Sequence, residues 1–388
     1  MTQCSLAIPF LLLVDEKVLR FGKKGELLMK ILTSEVEVGE WYRKELDGAV
    51  SSIGKPYNMT FKKGTVNKLL VFFFGGGLSW DEETASKPIT IGAMIRQKET
   101  FYIRNVPPIQ LKSVHVGLLN TKDKRNPFAD WDMLVLPYSS ADFHLGNNEF
   151  AYQDGKKGKQ VLHHRGATNV EKALELLKEI VPDTPEDLVI AGVSAGGFGC
   201  VAHAPAIHKL YPDCKNIVVY SEGAYLHASQ WPDITKNIWK VSDDLAPYLK
   251  SADLVADLFH YAKAHMPDQT VFLHSNSVWD VALVKIMNKM NHGKLAIDAQ
   301  GLQRFHDELI QSVKTLKHEI PNYYYYLTDY GKKKDGTTPH IFLGTPKLIY
   351  GAMQDGVSII NWLMSAIEKE ALDVGTKFIE NDCSLFKN

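Results

Sequence analysis

DLVIAGVSAGGFG, residues 187–199, places a single serine among small residues directly behind an apolar run. Leu188, Val189 and Ile190 show no alternation of apolar and polar positions, so the run reads as a strand buried on both faces. FGCVAHAPAIHKLY (198–211), just after it, reads as a helix. Between the two, Gly192, Ser194 and Gly196 satisfy the pattern G-x-S-x-G. The spacing has a steric cause. A nucleophile at the tip of a sharp strand-to-helix turn holds a strained backbone, and its neighbours must be small for strand and helix to approach. Gly192, Ala195, Gly196 and Gly197 supply that room. The turn aims the hydroxyl outward and sets the Ala195 N–H, at a helix start, towards any oxyanion formed on an attacked carbonyl. Taken alone, the motif has a plain alternative, a glycine-rich helix start that merely packs tightly.

Outward from this turn the chain keeps one rhythm. KLLVFFF (68–74), DMLVLPY (132–138), NIVVYS (216–221), TVFLHS (270–275) and NYYYYLT (322–328) are further short apolar runs rich in β-branched and aromatic residues. Helical spacing lies between them. In 168–181 Val170, Ala173, Leu174, Leu177 and Val181 recur at three- and four-residue steps, with Thr168 or Asn169 placed to cap the start. Leu302, Phe305, Leu309, Val313 and Leu316 repeat the pattern in 298–316. Buried strands alternating with amphipathic helices imply an α/β fold: a mostly parallel central sheet with helices on both faces and ligands at the carboxyl ends of the strands. No internal repeat or linker divides the chain, so one domain over 1–388 is expected, with 1–40 as an N-terminal packing segment.

The bulk composition narrows the partners. Lys+Arg of 44 against Asp+Glu of 45 leaves no net field to recruit nucleic acid or an anionic membrane surface, so neither is expected as a partner. The oligomeric state is not legible. Cys4, Cys200, Cys214 and Cys383 lie far apart without CxxC spacing, so neither a zinc site nor a disulfide framework is signalled. The run SLAIPFLLLV (5–14) has no Lys or Arg before it and no small-residue cleavage site after it. It reads as a packing segment of a cytoplasmic protein, with an unusual secretory signal as the other reading.

FFFGGGLSW (72–80) ends an early strand in three consecutive glycines, the position from which further oxyanion donors come. Glycine lets the backbone turn its N–H groups towards a substrate oxygen with no Cβ in the way. A serine hydroxyl also needs a histidine to take its proton and a carboxylate to orient that histidine, in the chain order Ser, acid, His. His340, in GTTPHIFLG, follows the last strong strand and is the best-placed base. Asp280 ends the strand and polar loop VFLHSNSVWD (271–280); Asp329 lies too close to His340 in sequence to be its equal. His203, His208, His306 and His318 read as helix-face residues, and the adjacent His163 and His164 as structural or substrate-lining ones. Asp142, in SSADFHLG, is expected near the site in a hydrogen-bonding role. Trp80, Tyr225 and Trp279 are candidate pocket walls, although large aromatics are more often core. No metal and no cofactor is called for.

At these residues the chain resembles the pectin acetylesterase/Notum family of serine carboxylesterases, with its bacterial branch the nearer in the glycine loop and the SWDEETAS stretch after it. The resemblance runs from GEWYRKELDGAVSSIGKPYNMTFKKG through WDMLVLPYSSADFHLG and GVSAGGFG to SNSVWD and HIFLGTP. It implies an α/β-hydrolase-like fold, Ser194 as nucleophile, Asp280 as acid, His340 as base, and Gly76, Gly77 and Ala195 as oxyanion donors. Secreted relatives carry cysteines around the glycine loop; here GGGLSW and AVSSIG stand instead, so their disulfides cannot form. Leu78 replaces an aromatic residue common after the glycines, so the acyl pocket is expected to differ. The resulting expectation is hydrolysis of O-acetyl groups on carbohydrate through an acyl-serine. The other readings are an esterase of lipid or small-molecule acyl groups and a non-catalytic glycan-binding protein on the same scaffold.

Overall fold

The computed structural model describes residues 29–380. The run 5–14, Cys4, Cys383 and most of the 1–40 segment lie outside the described residues.

In chain order the strands are β1 (Lys30–Ile31), β2 (Trp41–Val50), β3 (Pro56–Lys62), β4 (Lys68–Phe73), β5 (Pro88–Ile89), β6 (Tyr102–Ile103), β7 (Asp132–Leu136), β8 (Asn148–Asp154), β9 (Gly158–His164), β10 (Asp187–Val193), β11 (Asn216–Glu222), β12 (Val271–Ser277), β13 (Tyr323–Thr328), β14 (Met353–Gln354) and β15 (Val357–Ser358). Nine of them form one sheet in the order β1-β2-β3-β7-β4-β10-β11-β12-β13. From β7 to β13 every neighbour is parallel, while β2, β3 and β7 pair antiparallel. The six apolar runs read from the sequence are these six parallel strands. Every residue from Leu188 to Val193 is buried, as a strand covered on both faces must be.

Helices clothe the sheet. Ala195–Leu210 packs on β4, β10 and β11, Gly166–Ile180 on β2 and β7, Ala299–Glu319 on β13, and Ile359–Ile367 on β11. The start of Gly166–Ile180 departs from expectation. Thr168 and Asn169 lie inside it and do not cap it; Asn169 donates to the Val50 carbonyl and accepts the Val50 N–H, both at 2.9 Å. A side chain able to bridge two buried backbone groups of β2 does more there than at a cap, where one N–H is served.

Register decides where the site falls. Phe73, Gly192 and Ser221 lie in one row across β4, β10 and β11, and Glu222 pairs onward with Ser275 of β12. The glycine loop, the serine turn and the loop after β12 therefore leave the sheet at one carboxyl edge.

Candidate active site

Ser194 takes φ 56° and ψ −126°, a backbone conformation costing a non-glycine residue about 1–3 kcal/mol. Two bonds hold it: its N–H donates to the Glu222 carbonyl at 2.7 Å, and its carbonyl accepts the Gly197 N–H at 2.8 Å. The glycines on either side are required by contact. A Cβ on Gly192 would strike the Gly196 carbonyl, and one on Gly196 would strike the Phe73 carbonyl. Strand and helix meet backbone to backbone, so the small residues of 187–199 are a packing necessity of the turn.

Asp280 follows β12 and caps the helix Val281–His292. Its Oδ1 accepts the N–H groups of Ala282 and Leu283 at 2.8 and 2.9 Å, which leaves Oδ2 to face His340 Nδ1 at 2.7 Å. The loop bringing His340 is pinned to the same turn, through Thr338 N–H to the Trp279 carbonyl at 2.9 Å and Ser277 Oγ to the Pro339 carbonyl at 2.6 Å. His340 Nε2 then lies 2.8 Å from Ser194 Oγ. An ionised carboxylate only accepts, so Nδ1 carries the imidazole proton and Nε2 is free to accept the serine O–H. Burial disfavours the imidazolium of His340, but the Asp280 carboxylate, by charge and hydrogen bond, and Glu222 beyond it raise its pKa above the ordinary histidine value.

Glu222 is the residue the sequence did not disclose. Its fully buried carboxylate accepts the N–H of Phe342 at 2.6 Å and of Leu343 at 2.9 Å, two and three residues after His340, while its carbonyl holds Ser194. Burial pushes its carboxyl up to about 7, against the two amides and the imidazole that favour the charge. A lone glutamate at a strand end carries no motif, so only the assembled fold reveals it.

The glycine loop meets β6 in an antiparallel bridge between Gly77 and Tyr102. Ile103 N–H donates to Gly76 O at 2.8 Å and Leu78 N–H to Phe101 O at 3.0 Å, so the ladder bonds fall on either side of Gly77. That pattern turns the Gly77 N–H away from the ladder. Gly77 and Ala195 border one cavity with Ser194 and His340; Gly76 does not, and packs against Tyr138 and Ile103.

This cavity has an apolar wall that includes Leu78, Phe101, Phe143, Phe198, Leu226 and Leu283. Leu78 stands where expected. Trp80, Tyr225 and Trp279 do not border it: Trp80 packs edge-on against Phe101, Tyr225 against Phe305, and Trp279 stacks on His306 at 4.3 Å. These rings fill the surrounding core, as their size favours. Asp142 holds the loop that presents Phe143, accepting from Ser140 Oγ at 2.6 Å and from the N–H groups of His144 and Gly166 at 3.0 and 2.9 Å. His163 and His164 fall on opposite faces of β9; His163 pairs with Glu149 and His164 meets the Ser140 carbonyl. His306, read as a helix-face residue, is buried by its stacking on Trp279. No group of three or more metal-ligating side chains occurs among the described residues.

Compared with known families, residues 43–253 match the family model described as pectinacetylesterase, over more than half of the chain. The match takes in the glycine loop, Ser194 and Glu222 and stops before Asp280 and His340. No curated protein matches the chain.

Proposed function

The chain belongs to the pectinacetylesterase family of carboxylic ester hydrolases, and from that premise we propose that it is a serine esterase working through an acyl-enzyme at Ser194. The observation that carries this reading is the unbroken chain Asp280–His340–Ser194, with contacts of 2.7 and 2.8 Å, opening on a cavity bordered by Gly77 and Ala195.

Ser194 Oγ attacks the ester carbonyl as His340 Nε2 takes its proton, and Asp280 balances the resulting imidazolium. The Gly77 and Ala195 N–H groups receive the oxyanion, with Gly76 shaping the loop beside them. One such donor is worth about 10²–10³ in rate. His340 then hands its proton to the departing alcohol oxygen, leaving the acyl group on Ser194. In the second half His340 takes a proton from water, whose oxygen attacks the acyl carbon, and the collapse releases the carboxylic acid and returns the proton to Ser194. These steps need no metal or cofactor.

The family points to O-acetyl groups on carbohydrate as the substrate. A second reading is favoured by the cavity's lining, which is almost wholly apolar around Ser194 and so suits a longer acyl chain as well as an acetyl group. A chain-length series of 4-nitrophenyl esters, with fluorophosphonate labelling of Ser194, separates the readings. Labelling with an acetate optimum supports the acetylesterase, labelling with a longer optimum supports the lipid-type esterase, and no labelling or turnover supports a glycan-binding module.

A further inference from the structure

The segment 88–104 supplies part of the cavity wall through Ile89, Thr100 and Phe101. Between those residues lies the short helix Ile91–Ile95, which rests on the core through Met94 and has no fully buried residue. Ile91 and Ile95, 62% and 76% exposed, are the two most exposed large hydrophobic side chains among the described residues. Four positions apart, they share one face of the helix. Ile53, 41% exposed, borders with Ile91 a groove that shares the wall residue Ile89 with the cavity. Exposed apolar side chains scattered singly need no explanation, but a cluster beside an apolar site marks an interaction surface.

The charges near the helix are mostly positive. Arg96, Lys98, Arg104, Lys156 and Lys157 border a shallow depression together with Gly92 and Ala93 of the helix. Two acidic groups lie at the same place, Glu99 paired with Lys87 at 2.8 Å and Asp154 accepting the N–H groups of Lys156 and Lys157 at 2.8 and 3.2 Å, and the cations outnumber them. The near-zero charge of the whole chain averages this face away.

We propose that this face docks on an anionic lipid surface, with Ile91 and Ile95 entering the boundary between headgroups and acyl chains and the surrounding lysines and arginines meeting the phosphates. Docked so, the groove beside the cavity faces the layer in which acyl esters reside. This last step rests on the esterase reading; the docking itself does not. An anionic glycan would meet the same cations but would gain nothing from two protruding isoleucines, so the lipid surface is the occupant the side chains fit.

Flotation of the full chain with phosphatidylcholine vesicles, with and without phosphatidylglycerol, tests it. Binding is expected only to the anionic vesicles and weakens as salt rises. The double substitution Ile91→Ser and Ile95→Ser, and separately Lys156→Glu with Lys157→Glu, should each lower vesicle affinity on the order of tenfold or more, with hydrolysis of 4-nitrophenyl acetate unchanged. Absence of binding to anionic vesicles, binding indifferent to both pairs of substitutions, or retention on a polyanionic glycan that ignores the isoleucines, would each overturn the proposal. Vesicle binding by a protein that hydrolyses no ester would sink the esterase reading and leave the docking standing.

Discussion

The side chain of Glu222 accepts the main-chain N–H of Phe342 at 2.6 Å, two residues beyond His340, while the same residue's carbonyl accepts the N–H of Ser194. One buried residue thus ties the turn that carries Ser194 to the loop that carries His340, and places a second carboxyl behind the imidazole. Glu222→Gln keeps the shape but removes the charge that helps hold the His340 pKa up. The imidazolium is then less stable, so the neutral base persists to lower pH. The acid limb of kcat/KM should move to lower pH and kcat should fall roughly tenfold, because an amide offers one acceptor to two N–H groups. A pH–rate profile with an unmoved acid limb would reduce Glu222 to a packing residue.

Asp280 divides its work between two oxygens, one capping a helix and one facing His340. Asp280→Asn retains an acceptor for the cap but presents an amide that no longer fixes the productive tautomer of His340. It is expected to lose about 10⁴ in kcat with little change in Tm. Asp280→Ala should add a Tm decrease corresponding to about 1 kcal/mol for the lost cap. Thermal melts beside steady-state rates read both effects.

The strained turn gives a comparison independent of catalysis. Ser194→Ala and Ser194→Gly should both lower kcat on the order of a millionfold. Only the glycine adopts φ 56° without a Cβ in conflict, so it should be the more stable of the two, by about 1 kcal/mol in urea unfolding. Equal stabilities would mean that the turn stores no strain.

How much of this was legible in the residues follows from burial. Six parallel strands announce themselves because strands covered on both faces must be apolar throughout. β2 and β3 mix polar and apolar residues at the sheet's other end, and the hairpin β8–β9 is half exposed, so none of them stands out as an apolar run. Ser194, Asp280 and His340 could be read because each must leave a particular strand end in a particular order. Phe143, Phe198 and Leu226 could not, since a wall is made by loops meeting in space and ordinary apolar residues carry no mark of it. Trp80, Tyr225 and Trp279 show the converse: conspicuous side chains are conspicuous for their size, and the core uses size.

Acid sensitivity follows from the buried histidines. Burial holds His115, His144, His164 and His274 down to about 3, against about 6.5 when unfolded. Their contribution to stability is complete above pH 6.5 and is lost as pH falls towards 3, because only the unfolded chain takes up their protons in that window. Asp142 and Glu222, raised to about 6 and about 7, act in the opposite sense, and their contribution is lost as pH rises through those values. Four large histidine shifts outweigh the smaller carboxyl shifts, so the urea midpoint should fall between pH 6.5 and 4. A midpoint that rises over that interval would mean that the carboxyls dominate.

The most direct test is mass spectrometry of the protein quenched in acid within the first turnovers of 4-nitrophenyl acetate. The account predicts one acetyl group on the peptide containing Ser194, and none when Ser194 is replaced by alanine. Ester turnover that persists in Ser194→Ala, or an acetyl group carried on a different residue, would contradict it.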